Sequence, residues 1–279
     1  MSEPEILRYT AFTAIPSGGN PAGVVLDARE LDAARMQAIA ASVGYSETAF
    51  LIPRTGNEYD VRYYSPEKEI TFCGHATIAA AVALAERTRP GSVRLHTRSG
   101  EVGVETHRDG ARTTATLTSV EPHVEAVSDE VLERALGALR WSPQELEPAL
   151  PPRIGFAGAR HLILAARTRD RLSALDYDYA ALKDLMLALD LTTVALVWRE
   201  APTLFHARNP FPPGGVVEDP ATGASAAAFG AYLRELGLVA TPATVTIHQG
   251  VDMGRPSLLT VDIGDRGGIR VTGQAVLVE

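Results

Sequence analysis

Two stretches decide the fold: Glu69-Ile-Thr-Phe-Cys-Gly-His-Ala-Thr-Ile-Ala-Ala-Ala81 and Glu218-Asp-Pro-Ala-Thr-Gly-Ala-Ser-Ala-Ala-Ala-Phe-Gly230. Each starts acidic, turns at a glycine (Gly74, Gly223) and runs on into small apolar residues; subtracting 74 from 223, or 69 from 218, gives the same offset of 149. From Ala76 to Ala85 and from Ala224 to Tyr232, small apolar residues occupy every face, so neither segment has the polar stripe of a surface helix. Both predict helices enclosed by a sheet. Their first-turn amides, at Gly74-His75 and Thr222-Gly223, have no partner within the helix and sit at the positive end of its dipole, which suits a carboxylate. Two such termini, one from each copy, are expected to face each other across a cleft.

Outward from these stretches the chain reads as the same mixed unit written twice. Strand-like segments at Ile6-Phe12, Ala22-Leu26, Glu47-Ile52, Tyr59-Ser65, Ser92-Thr97, Val102-His107 and Arg112-Thr118 share the first part with an amphipathic helix over Leu31-Val43. Ser119-Pro122 reads as a connection, and Ser128 as the N-cap of a helix over Val131-Leu139. The second series has strands at His161-Ala166, Thr193-Trp198, Thr203-Arg208, Val245-His248, Leu258-Ile263 and Gly268-Leu277. Helices are predicted over Tyr179-Leu189 and Gly223-Leu236, and a Pro/Gly loop over Asn209-Gly215. This pattern predicts an internal duplication: an N-terminal repeat over 1–118, onto which the last strand of the chain can pack back, and a C-terminal repeat over 128–279.

A chain of 279 residues, 46% hydrophobic and with one cysteine, is expected to fold without internal disulfides and to suit a reducing cytoplasm. Twenty-six basic against thirty-four acidic residues give a net charge of -8, which argues against nucleic acid as a partner. The acidic start does not resemble a signal peptide, and Ala76 to Ala85 falls far short of the roughly 20 residues that span a membrane. No nucleotide-binding loop, nucleophile elbow or metalloprotease motif occurs, and no two histidines lie three to five residues apart, so neither a cofactor nor a metal is expected. A homodimer is compatible with the composition.

Three ionisable residues stand out. Glu47 opens a strand that soon turns apolar, and desolvation at the edge of an apolar wall raises a carboxylate's pKa into a range useful for acid/base work. His75 heads the first enclosed helix, where an imidazole can meet an anion or carry a proton. Asp219 precedes the second. Each has a plainer reading: a solvent-facing strand residue, a capping residue, and a charge that complements the dipole. Cys73 reads as a small buried residue. Its counterpart Thr222 cannot ionise usefully, which closes a two-thiol racemisation route.

Five strings, in order and spanning nearly the whole chain, are specific together: Gly19-Asn-Pro-Ala-Gly-Val-Val, Ser46-Glu-Thr-Ala-Phe, Phe72-Cys-Gly-His-Ala-Thr, Glu218-Asp-Pro-Ala-Thr-Gly and Gln249-Gly-Val-Asp-Met-Gly-Arg-Pro-Ser. With them the sequence resembles the phenazine-biosynthesis isomerase family (PhzF-like), within the diaminopimelate-epimerase-like fold. The resemblance implies an α+β architecture of two similar domains, each a mostly antiparallel, barrel-like sheet around a central buried helix, with the active site in the interdomain cleft. It implies an isomerase or epimerase that works without metal or organic cofactor, and moves a proton on a small carboxylate substrate. Glu47 is then the acid/base, assisted by His75 and Asp219, with substrate or anion contacts from Asn20, Gly74, Thr222, Gly223, Ala224 and Ser225. In one departure, the family pattern Asp-Pro-x-Thr-Gly-Ser-Ala reads Asp219-Pro-Ala-Thr-Gly-Ala-Ser here, so Ala224 lacks the usual hydroxyl unless Ser225 replaces it. The competing expectations are a non-catalytic small-carboxylate binder or regulatory protein that reuses the site and, less favoured, a two-base racemase.

Overall fold

The computed structural model describes residues 4–278. Its elements run β1 (Leu7–Ala11), β2 (Asn20–Val25), α1 (Ala33–Val43), β3 (Glu47–Pro53), β4 (Glu58–Tyr64), β5 (Glu69–Ile70), α2 (Gly74–Arg87), β6 (Ser92–Thr97), β7 (Gly100–Asp109) and β8 (Arg112–Thr118). They continue with β9 (His123–Ala126), α3 (Asp129–Leu139), β10 (Arg153–Phe156), β11 (Arg160–Ala165), α4 (Arg169–Ser173), α5 (Tyr179–Ala188), β12 (Thr193–Ala201) and β13 (Leu204–Phe211). The last are β14 (Val216–Asp219), α6 (Gly223–Glu235), β15 (Ala243–Gln249), β16 (Ser257–Ile263) and β17 (Arg270–Leu277). The chain divides into two compact units, one running to Thr118 and rejoined by the segment from Thr272, the other Ser119–Val271.

In the first unit eight strands close on themselves in the order β1-β2-β3-β4-β6-β7-β8-β17, with β17 pairing both β8 and β1. Two pairings, β2–β3 and β4–β6, are parallel. Helix α2 packs against β1, β2, β3, β7 and β8, and every residue from His75 to Ala85 is buried. That enclosure explains the composition. An eight-stranded barrel leaves room for little more than side chains, and a helix fits inside only if most of its own are alanine-sized. Outside the barrel, α1 covers β3 with Met36, Ile39, Ala40 and Val43 against Phe50.

The second unit repeats the pairing pattern strand for strand. From β9 through β10, β11, β12, β13 and β15 to β16, the neighbours are antiparallel, antiparallel, parallel, antiparallel, parallel and antiparallel. The first unit shows the same sequence from β17 to β7. Helix α6 takes the place of α2, packs against β9, β10, β11, β12 and β16, and is buried from Ser225 to Leu233. Helices α3 and α5 lie over β11 and β12 through Leu136, Leu139, Leu182, Leu185 and Met186.

Several segments differ from the sequence reading, among them β5 and α4, which were not expected. The Pro/Gly loop expected from Asn209 is strand as far as Phe211, because β14 pairs with it and a register shift after Pro210 absorbs the proline. Strands β9 and β10 form where no strand was expected, between the connection at Ser119-Pro122 and the strand predicted from His161. Among the described residues, no helix is long and apolar enough to cross a membrane.

Candidate active site

Helix caps separate the two central helices from the rest. Asp32, Ser128, Thr168 and Asp178 each accept a hydrogen bond from the first turn of α1, α3, α4 and α5. Helices α2 and α6 start at Cys73 and Thr222 with no side-chain cap bond. Their leading amides therefore lack the usual satisfaction and present a positive dipole end. His75 is not a capping residue, so that plainer reading of it is set aside.

In the first unit, a left-handed Gly44 ends α1, and three residues later the chain enters β3 at Glu47. The Glu47 side chain is only 15% exposed, so it does not face solvent. Its Oε2 lies 3.3 Å from Nε2 of His75, close enough for an ion pair but out of line for a hydrogen bond, and this oxygen is buried without any hydrogen-bond partner. Such an atom costs about 1–3 kcal/mol, and more when charged, unless something else satisfies it. On the other side of the ring, the Asn20 amide nitrogen sits 3.0 Å from Nδ1. An amide nitrogen can only donate, so Nδ1 accepts and the ring proton sits on Nε2, toward Glu47. Cys73 Sγ lies 3.4 Å from Nδ1 and 3.8 Å from Nε2. Gly19 sets up Asn20: at φ +65° the chain turns tightly, and a Cβ there would come within 2.3 Å of the Ala11 carbonyl.

The second unit presents a different set at the start of α6. The Thr222 hydroxyl donates to Asp219 Oδ2 at 2.5 Å, and the Thr222 amide donates to Gln249 Oε1 at 3.1 Å. Gln249 Nε2 in turn donates to the Asp219 carbonyl at 2.7 Å. Because the Thr222 amide is engaged, the amides available at this turn begin at Gly223 and Ala224. The Ser225 hydroxyl donates to Asn209 Oδ1 at 2.8 Å and is buried. It is thus turned inward and does not stand in for the hydroxyl that Ala224 lacks. Asn209 Oδ1 also accepts from Thr193 Oγ1, which lies 2.8 Å from His161 Nδ1. A chain of four buried side chains thereby ties α6 to β11, β12 and β13.

Asn20, Glu47, Gly74 and His75 thus gather in one unit, and Asp219 with residues 222–225 in the other. Reasoning from sequence missed the supporting roles of Gln249, Asn209, Thr193 and His161. Gln249 stood in a quoted motif, and the other three carried no local signal. Thr193 opens β12 as Glu47 opens β3, so the duplicated position holds a carboxylate in one copy only.

A family model described as phenazine biosynthesis-like protein matches residues 9–279. A trans-2,3-dihydro-3-hydroxyanthranilate isomerase of Pseudomonas fluorescens is 33% identical over 89% of this chain and 86% of its own length. The crystal structure of a Bacillus anthracis phenazine biosynthesis protein of the PhzF family superposes with a TM-score of 0.88, at 24% identity over 100% of this chain and 98% of that one. A probable proline racemase from Agrobacterium radiobacter shares the fold more distantly, with a TM-score of 0.66 and 14% identity over 98% of this chain and 90% of that one.

Proposed function

Since the chain belongs to the phenazine biosynthesis-like protein family, whose relatives include named isomerases, we propose that it is an isomerase that moves a proton on a small carboxylate substrate, with Glu47 as the general acid/base. The observation that carries this reading is the buried, unpartnered Oε2 of Glu47, held beside the His75 ring at the uncapped start of α2. A carboxylate kept dry and unsatisfied is poised to take a proton from carbon, as water or a surface carboxylate is not.

The reaction balances within the substrate. Glu47 takes the proton as a C–H bond breaks, and the electron pair spreads into the adjacent conjugated system. Helix-start amides stabilise the negative charge that develops, an effect worth several kcal/mol in a dry site. The same carboxyl group, now protonated, returns the proton to a different carbon. His75, with its proton on Nε2, steadies the carboxylate, and Asn20 holds that tautomer. Asp219, fixed by Thr222, is assigned an assisting role. No metal or organic cofactor is called on. With Ala224 lacking a hydroxyl and Ser225 turned inward, substrate selection at α6 rests on backbone amides.

The relative named above makes trans-2,3-dihydro-3-hydroxyanthranilate the first compound to test. The protein is incubated in deuterated water with it and with a panel of small cyclic and amino-acid carboxylates, and label at carbon is read by NMR. Incorporation by the wild type, and its loss in Glu47→Gln with a lesser fall in Asp219→Asn, is the expected result. A folded Glu47→Gln protein that exchanges at the full rate refutes the assignment. A bound ligand whose C–H bonds never exchange identifies a binder instead.

A further inference from the structure

Glu47, Cys73 and His75 bring a carboxylate oxygen, a thiol sulfur and an imidazole nitrogen within 4.8 Å of one another. We propose that these three side chains form a binding site for a thiophilic divalent cation of the zinc class. The two edges that meet at His75 suit it. With Zn–N, Zn–O and Zn–S bonds of about 2.0, 2.0 and 2.3 Å, a tetrahedral site has a nitrogen–oxygen edge of about 3.3 Å and a nitrogen–sulfur edge of about 3.5 Å. The corresponding separations here are 3.3 Å from His75 Nε2 to Glu47 Oε2 and 3.8 Å from Nε2 to Cys73 Sγ. Three protein ligands on a strand start and a helix start leave the fourth position open.

A second observation points the same way: Glu47 Oε2, buried and without a hydrogen-bond partner, is aimed into the cluster. Charge favours the cation. A carboxylate and a thiolate supply two formal negative charges, against roughly half a positive charge from the end of α2. Protons balance. The thiol releases one to solvent, while the imidazole keeps its own by moving it from Nε2 to Nδ1. The Asn20 amide, rotated to present its oxygen 3.0 Å away, accepts it there, the usual support for a metal-bound histidine. Histidine spacing alone could not reveal such a set, because only one ligand is a histidine. On the reading proposed above, occupation takes the base and its partner out of proton transfer, so the cation acts as an inhibitor.

The test uses cobalt(II) as a spectroscopic probe and zinc(II) in competition with a chromophoric chelator, on the full chain. The expected result is one ion per chain, with a thiolate-to-cobalt absorption in the near ultraviolet. Cys73→Ala abolishes that band and weakens zinc binding at least tenfold, and Glu47→Gln weakens it at least tenfold with its circular dichroism unchanged. His248→Asn, at the His206–His248 ring pair, leaves it unaltered. A wild type without the band, or variants of Cys73 and Glu47 that bind as tightly as the wild type, overturns the proposal. The two readings fail separately. A thiolate band together with full proton exchange in Glu47→Gln keeps the metal site and removes the catalytic assignment, and lost exchange without a band does the reverse.

Discussion

Replacing His161 with asparagine is expected to flatten the acid side of the stability profile. The His161 ring is fully buried; its Nδ1 meets Thr193 Oγ1, and its Nε2 has no partner. Burial alone lowers its pKa from 6.5 to about 3. Below about pH 6.5 the unfolded chain therefore takes up a proton that the folded chain refuses, so stability present above that pH is lost as pH falls. Between pH 6.5 and about 4.5 the loss is two units at about 1.36 kcal/mol each, or about 2.7 kcal/mol. That figure is insensitive to where below pH 4.5 the folded group titrates. Asparagine keeps a donor toward Thr193 and removes the titration, and any packing defect acts equally at both pH values and cancels. Urea unfolding followed by circular dichroism at about pH 7 and pH 4.5 supplies the comparison. The wild type should lose about 2.7 kcal/mol more than His161→Asn; equal losses in the two proteins would refute the reasoning.

Other expectations concern neighbouring features. Arg208 and Glu218 form a buried two-point ion pair, with Nε to Oε2 at 2.9 Å and a second contact from Nη2 to Oε1. Glu218→Gln strands the guanidinium and should destabilise by about 3–5 kcal/mol in chemical unfolding, and a loss below about 1 kcal/mol would contradict the buried pairing. Gly19→Ala meets both a positive φ and the Ala11 carbonyl, so a loss of about 1–3 kcal/mol is expected, along with slower proton exchange through a displaced Asn20. An unchanged melting temperature would show that the turn relaxes freely. Asn20→Asp demands a proton on Nδ1 and so reverses the His75 tautomer. Proton exchange should fall by about ten- to a hundredfold, since a hydrogen bond to a charged group is worth about 1.5–3 kcal/mol; an unaltered rate removes Asn20 from the mechanism.

The two enclosed helices were legible because enclosure imposes a rare demand. A helix that must fit inside a closed sheet is written almost wholly in small residues, and the chain contains two such runs. The longer strands of the first unit were legible as alternating or apolar runs of five or more residues. Strands β5, β9, β10 and β14 were not, since two to four residues beside prolines or charges carry too little pattern, and pairing with an already formed neighbour decides them. At the site, Glu47 and His75 were named from motif and position, yet their approach depends on Asn20 and Cys73 arriving from another strand and from the helix start. The His161–Thr193–Asn209–Ser225 chain joins residues up to 32 positions apart within each hydrogen bond, a range at which single-sequence spacing holds no information.

The closing strand of the first barrel has a consequence for biosynthesis. Residues 272–277 supply the partner of both β1 and β8, yet they leave the ribosome only after all of Ser119–Val271 has been made. At about 5–20 residues per second, that interval is roughly 8–30 s. Until it ends, β1 and β8 lack the strand that pairs with both, and unpaired strand edges are the kind of surface on which nascent chains associate. The order of synthesis and the order of closure are therefore opposed: the later-made unit can complete its contacts first, and the first-made barrel is sealed last.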